Sequence, residues 1–175
     1  MGYSSSISML VGALLFSGAT LAQTPPTGAP PTPPPPQAPG PPLALSLEAA
    51  QTAMATCIAN GYKVTVIVVD SAGAVRVTLA GDGANPRAVD FVQRKVNTVI
   101  KYGEPSAAAQ EKVKTDTALA ATISADPKLV ARAGALPIKS KAGVIIGAIG
   151  VGGAPGGDKD DVCSLAGIDK IKDRL

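Results

Sequence analysis

Two apolar runs on either side of one tight turn constrain this chain more than any other feature. Within Lys63 to Gly83, KVTVIVVDSAGAVRVTLAGDG, they flank Asp70-Ser71-Ala72-Gly73 and predict a β-hairpin. In the first run Val64, Val66 and Val68 alternate with Thr65, Ile67 and Val69. It is therefore apolar on both faces, as befits an interior strand covered above and below. The second run puts Arg76, Thr78 and Ala80 on one parity and Val75, Val77 and Leu79 on the other, leaving one face for solvent or a partner subunit. Gly73 supplies the positive φ such a turn needs, and the Asp70 carboxylate can accept from N–H groups two residues on. A second run of this kind, Gly143 to Val151, predicts another buried strand in the same sheet.

The remaining segments read as cover for that sheet. A first helix is expected from about Leu45, with Ser46 as N-cap, Glu48 in the first turn, and Leu47, Ala50, Met54, Cys57 and Ile58 on its inner face. Asn60-Gly61 should end it. A second helix follows Asn85-Pro86-Arg87 and runs to about Tyr102. Val89, Val92, Val96, Val99 and Ile100 form its apolar stripe, and Arg87, Asp90, Arg94, Asn97 and Lys101 the opposite one. Between them lies a flank of Phe91, Lys95, Thr98 and Tyr102, part apolar with a cation in its middle. Such a flank can line a pocket for a flat or anionic ligand, or Lys95 can simply lay its stem over the core edge.

Glu104-Pro105-Ser106 interrupts this helix, and Ser106 to Ala121 resumes as a polar, Ala-rich helix or pair of helical turns. Pro127 and Pro137 bracket a short region in which Leu136-Pro137-Ile138 leads through a turn at Ser140 to Gly143 into the final strand. A glycine-rich loop then precedes a last helix from about Asp158 to Lys172. That loop lacks both the dinucleotide-binding glycine spacing and the Gly-Lys-Ser/Thr of a P-loop. Asp158, Asp160 and Asp161 would repel an anion there, and read as capping and dipole-complementing residues.

The first 42 residues carry no charged side chain. Met1 to Ala22 reads as a secretory signal cleaved before Gln23, with an uncleaved anchor as the alternative. Residues 23–42 form a Pro-rich linker, an extended polyproline spacer that serves either as an inert stalk or as a ligand for a proline-binding module. The folded domain is then 43–175, in a periplasmic or secreted protein. Its formal net charge of +3 is mixed along the sequence, without the basic block a nucleic-acid partner would demand.

Histidine is absent. A Ser-His-Asp triad, an imidazole base and an imidazole-metal site are excluded, and no carboxylate pair or activated nucleophile stands out, so no catalytic residue is assigned. The only two cysteines are Cys57, on the inner face of the first helix, and Cys163, near the start of the last, beside the small Ala166 and Gly167. In an oxidising compartment they are expected to pair; two buried thiols are the alternative.

A resemblance now becomes specific. Val69-Asp70-x-x-Gly73 after a Val-rich strand, Asp82-Gly83-Ala84, Arg94-Lys95 inside a helix, Leu136-Pro137-Ile138, and Gly147-Ala148-Ile149-Gly150-Val151-Gly152-Gly153 followed by Asp158 resemble, in this order and spacing, the GlcG/HbpS family of haem-associated proteins. The resemblance spans Leu45 to Leu175. It implies an α+β domain of profilin-like or PAS-like architecture, an antiparallel sheet flanked by helices, with the N- and C-terminal helices packed together. That packing would itself bring Cys57 and Cys163 into contact. It also implies a homo-oligomer that binds haem or a related tetrapyrrole, in some relatives signalling to a membrane sensor.

Where some relatives carry Pro-His, this chain has Pro86-Arg87, and only Tyr62 and Tyr102 remain in the domain as conventional haem-iron ligands. Haem would be held weakly, without a histidine ligand, its propionates meeting Arg87, Arg94, Lys95 or Lys101. The expected ligand-binding set is Arg87, Phe91, Arg94, Lys95 and Tyr102, with no metal ligand assigned. A second expectation is a structural or signalling domain that presents the Pro-rich stalk and an oligomer surface to a partner protein.

Overall fold

The structure, a computed structural model, describes residues 37–175; the expected signal and most of the Pro-rich linker lie outside the described residues. The elements in chain order are α1 (Leu43–Ala59), β1 (Thr65–Asp70), β2 (Val75–Ala80), α2 (Ala88–Tyr102), α3 (Ser106–Lys112), α4 (Thr117–Ala125), β3 (Ala135–Lys139), β4 (Ile145–Gly152) and α5 (Gly157–Ile171). The strands form one antiparallel sheet in the order β2-β1-β4-β3.

The periodicity of β1 decides the layering. Val64, Val66 and Val68 face a core shared with Ala49, Ala50 and Ala53 of α1 and with Cys163 and Ile171 of α5. Ile67 and Val69 face Val92, Val96 and Val99 of α2. The sheet is thus sandwiched between an α1/α5 pair and α2. The alternation in β4 fits the two faces: Ile149 and Val151 fill the α1/α5 side, while Ala148, Gly150 and Gly152 leave room for α2. A Cβ at Gly150 would stand 2.6 Å from a Val96 methyl, so the small residues set how closely α2 lies on the sheet.

The hairpin turn forms as expected. Gly73 has φ +80, and the Asp70 carboxylate accepts from the backbone N–H groups of Ala72 and Ala74 at 3.0 and 2.9 Å. Cys57 and Cys163 are joined in a disulfide, with Cα atoms 5.6 Å apart, and tie α1 to α5.

Several sequence expectations need correction. α1 begins at Leu43 behind Pro42, which stands at the N-cap; Ser46 lies inside the helix, buried, donating to the Pro41 carbonyl. The preceding residues explain the early start. The Pro39 carbonyl accepts from the Ser71 N–H at 2.9 Å and the Ala38 carbonyl from Arg76, so the end of the Pro-rich stretch is seated on the hairpin and delivers the chain into the helix. Glu48 meets Arg174 at 2.6 Å. Leu47 and Ile58, expected inside, are exposed, while Ala49 and Ala53 take the contact. Helix approach is the cause, since a Cβ on Gly167 would press on the Ala49 carbonyl, and only small residues fit there. Val89 is likewise exposed on α2. Leu136-Pro137-Ile138 lies in an edge strand, where a proline without an N–H is tolerated.

Candidate functional site

Each residue of the α2 flank meets a different fate. Lys95 is 2 % exposed, and its ammonium passes inward to the Asp160 carboxylate at 2.8 Å and the Val151 carbonyl at 2.9 Å. Gly134 makes room for it, because a Cβ there would collide with Nζ. The open cationic position expected for Lys95 is therefore not what this structure shows: the charge is neutralised inside the protein, and Phe91 covers it with its ring centroid 5.3 Å from Nζ. Thr98 is buried and bonds the Arg94 and Val130 carbonyls. Tyr102 packs into a separate apolar cluster with Ala109, Ile123 and Leu129, its hydroxyl enclosed and without a partner among the described residues.

Arg87, Phe91 and Arg94 do converge. With Asn85 and Gly153 they line a cleft of about 370 Å³ at the start of α2. The Asn85 carboxamide accepts from the Arg87 N–H at 2.9 Å and fixes that entry. Arg87 is exposed and takes part in no ion pair among the described residues. Arg94 is anchored instead: Nε and one Nη donate to the Leu129 carbonyl at 3.2 and 2.9 Å, leaving its other N–H groups for a ligand. Asp90 lines the same cleft, which so carries one negative charge against two positive ones.

Arg94, together with Asp90, also lines an adjacent larger groove of about 560 Å³, with Lys101, Lys128 and Asp126. Its polar groups are largely committed to one another. Lys101 meets Asp126 at 3.3 Å, and Asn97 donates to the Lys128 carbonyl. The smaller cleft thus offers the less committed donors beside an exposed aromatic face. That combination can hold a flat molecule with a carboxylate edge.

The acidic cluster at the start of α5 was legible only as capping residues. Asp158 and Asp160 do lie in the first turn of α5. Asp160 also accepts from the Ala154 N–H, and Asp161 from the Gly134 N–H at 2.7 Å. Burial pushes the Asp161 carboxyl above the usual carboxylate range, with the Gly134 hydrogen bond opposing it. Among the described residues no group of three or more His, Cys, Asp or Glu side chains is placed to hold a metal ion. Nor is any helix among them long and apolar enough to cross a membrane.

The model of a family described as haem degrading protein HbpS-like matches residues 42–169. This chain belongs to the HbpS-like family. An HbpS double mutant from Streptomyces reticuli is 33% identical, with TM-score 0.71 and coverage of 82% of this chain and 97% of that one. A second HbpS structure is 32% identical, with TM-score 0.68, covering 76% and 91%. A PduOC structure solved as a haem complex shares the HbpS-like fold at 20% identity, with TM-score 0.69 over 75% of this chain and 95% of that one. A comparison with curated proteins returned no match. The expected family and α+β architecture are thereby established, including the packing of α1 against α5.

Proposed function

We propose that this HbpS-like chain is an exported module that binds haem or a related tetrapyrrole reversibly in the cleft at the start of α2, without transforming it. The observation that carries this reading is the meeting of Arg87, Phe91 and Arg94 around one opening. Two guanidinium groups suit the propionates, each able to accept charge-assisted bonds, and the Phe91 face suits the macrocycle. The haem bound by PduOC supports the ligand class.

The cleft fits the porphyrin edge better than its iron, since the chain contains no histidine and none of these three residues is an iron ligand. Retention therefore rests on charge and stacking, which favours pick-up and release over catalysis. Export is supported by the apolar N-terminal sequence and by the Cys57–Cys163 bond, which suits an oxidising compartment. Exposed Val75 on the β2 edge, with Ile58, Val162 and Leu165 on the outer face of α1 and α5, offers apolar surface for a homo-oligomer.

Native mass spectrometry of the purified protein, before and after incubation with haemin, tests the reading. A haemin adduct in stoichiometric amount on a multi-subunit assembly is expected. A spectrum in which added haemin never appears on the protein would refute it.

A further inference from the structure

The backbone from Lys128 to Ala133 joins α4 to β3 without belonging to a helix or strand, so side chains or solvent must satisfy much of its hydrogen bonding. α2 and α3 supply the side chains. Asn97 donates to the Lys128 carbonyl at 3.1 Å, and Arg94 to the Leu129 carbonyl. The Val130 N–H donates to the Thr98 hydroxyl at 3.1 Å, and the Ala133 N–H to the Gln110 side-chain oxygen at 2.9 Å. The segment is thereby held as a fixed wall. α4, which precedes it, is anchored far less: its one fully buried side chain is Ile123, packed with Leu129 and Ala109.

Between this wall and α4 lies a hollow of about 280 Å³. Val113, Ala120, Ile123 and Leu129 give it apolar sides, Arg94 and Arg132 give it positive charge, and no Asp or Glu among the described residues lines it. It shares only Arg94 with the arginine cleft. Arg132 is exposed and takes part in no ion pair among the described residues. An apolar enclosure with an uncommitted guanidinium and no competing carboxylate is complementary to an anion that carries an aliphatic tail. Its volume falls just below the range of about 300 to 1,000 Å³ that holds drug-sized molecules, so it suits a short chain and excludes a macrocycle.

We propose that this hollow is a second binding site, for a monocarboxylate with a medium-length aliphatic tail. The carboxylate meets Arg132, and the tail lies against Ile123 and Leu129. The 128–133 wall stays in place, and α4 is the side that yields as the tail enters. The site stands independently of the tetrapyrrole reading, because neither Arg87 nor Phe91 takes part in it.

The test is titration of the full chain with sodium octanoate, followed by amide and methyl NMR, with octanol and acetate as probes lacking the carboxylate and the tail. Saturable shifts are expected in α4 and the 128–133 wall, with the Ile123 and Leu129 methyl signals among them. Octanol should bind about tenfold more weakly for want of the charge-assisted bond, and acetate at least as much more weakly for want of buried methylenes. Arg132→Gln should lower octanoate affinity by about tenfold. Ala120→Leu, which fills the hollow from α4, should abolish binding, and Arg87→Ala should leave it unchanged. Unaltered amide shifts in β1 and β4 show that each variant is folded. No saturable octanoate shift in wild type, equal affinity for octanol, or equal affinity in wild type, Arg132→Gln and Ala120→Leu would each overturn the proposal, and none of these results bears on haemin binding.

Discussion

Lys95 on α2 and Asp160 on α5 meet at 2.8 Å with both side chains almost wholly buried. The pair spans the sheet end, linking the helix on one face to the helix on the other through the gap left by Gly134. A buried charge left alone costs far more than the pair gains. Lys95→Met is therefore expected to lower stability by about 3 to 5 kcal/mol, and Lys95→Met combined with Asp160→Asn by less than that. Urea unfolding of the single and double variants checks this. Equal or greater loss in the double variant would contradict it.

Asp161 gives the fold a pH dependence whose sign follows from its burial. Its carboxyl is held above the usual range by desolvation, against the Gly134 hydrogen bond. The folded state then keeps a proton that the unfolded state has released, so this group's favourable contribution is full below the unfolded value near 3.8 and is lost as pH rises through the raised folded value. Asp161→Asn, which can still accept from Gly134, should gain stability relative to wild type as pH is raised from 3 to 7. Thermal melts across that range, expressed as the difference between the two proteins, measure it; a flat difference would contradict the assignment.

The disulfide spans 106 positions of sequence. Reduction is expected to cost about 4 to 5 kcal/mol at most, the chain-entropy figure for a loop of that size. Melting temperature with and without reductant provides the measurement. Alkylation of unreduced protein followed by mass spectrometry should find no free thiol at either position.

Gly153 lines the arginine cleft and abuts the Lys63 backbone, with φ +128 and no room for a side chain. Gly153→Ala should cost about 1 to 3 kcal/mol in backbone strain alone. It should also weaken haemin binding, because the Lys63 and α2 sides of the sheet end must move apart. Unchanged stability and affinity in this variant would contradict the role of Gly153 in the wall of the cleft.

The strand pattern of β1 and β2 was legible because a two-residue period needs only a handful of side chains to declare itself, and Val64 to Val69 leave no ambiguity. The alternation of Ile149 and Val151 with Gly150 and Gly152 could be read as a strand, though not which helix each face would receive. On α1 apolar size does not mark burial. Close helix approach at Gly167 reversed that rule, burying Ala49 and Ala53 and exposing Leu47 and Ile58. Lys95 was found as the odd charge on a half-apolar flank. Its partner Asp160 lies 65 positions away and had no local signal beyond its place at a helix start. Arg87, Phe91 and Arg94, by contrast, sit within two turns of one helix entry, where spacing alone brings them together.

The central claim is that Arg87 and Arg94 hold the carboxylate edge of a tetrapyrrole. Haemin titration followed at the Soret band, comparing wild type with Arg87→Ala combined with Arg94→Ala, addresses it most directly. Saturable binding in wild type and an affinity lower by about tenfold or more in the double variant are expected, each charge-assisted bond being worth about 1.5 to 3 kcal/mol. Identical saturation curves for the two proteins would contradict it.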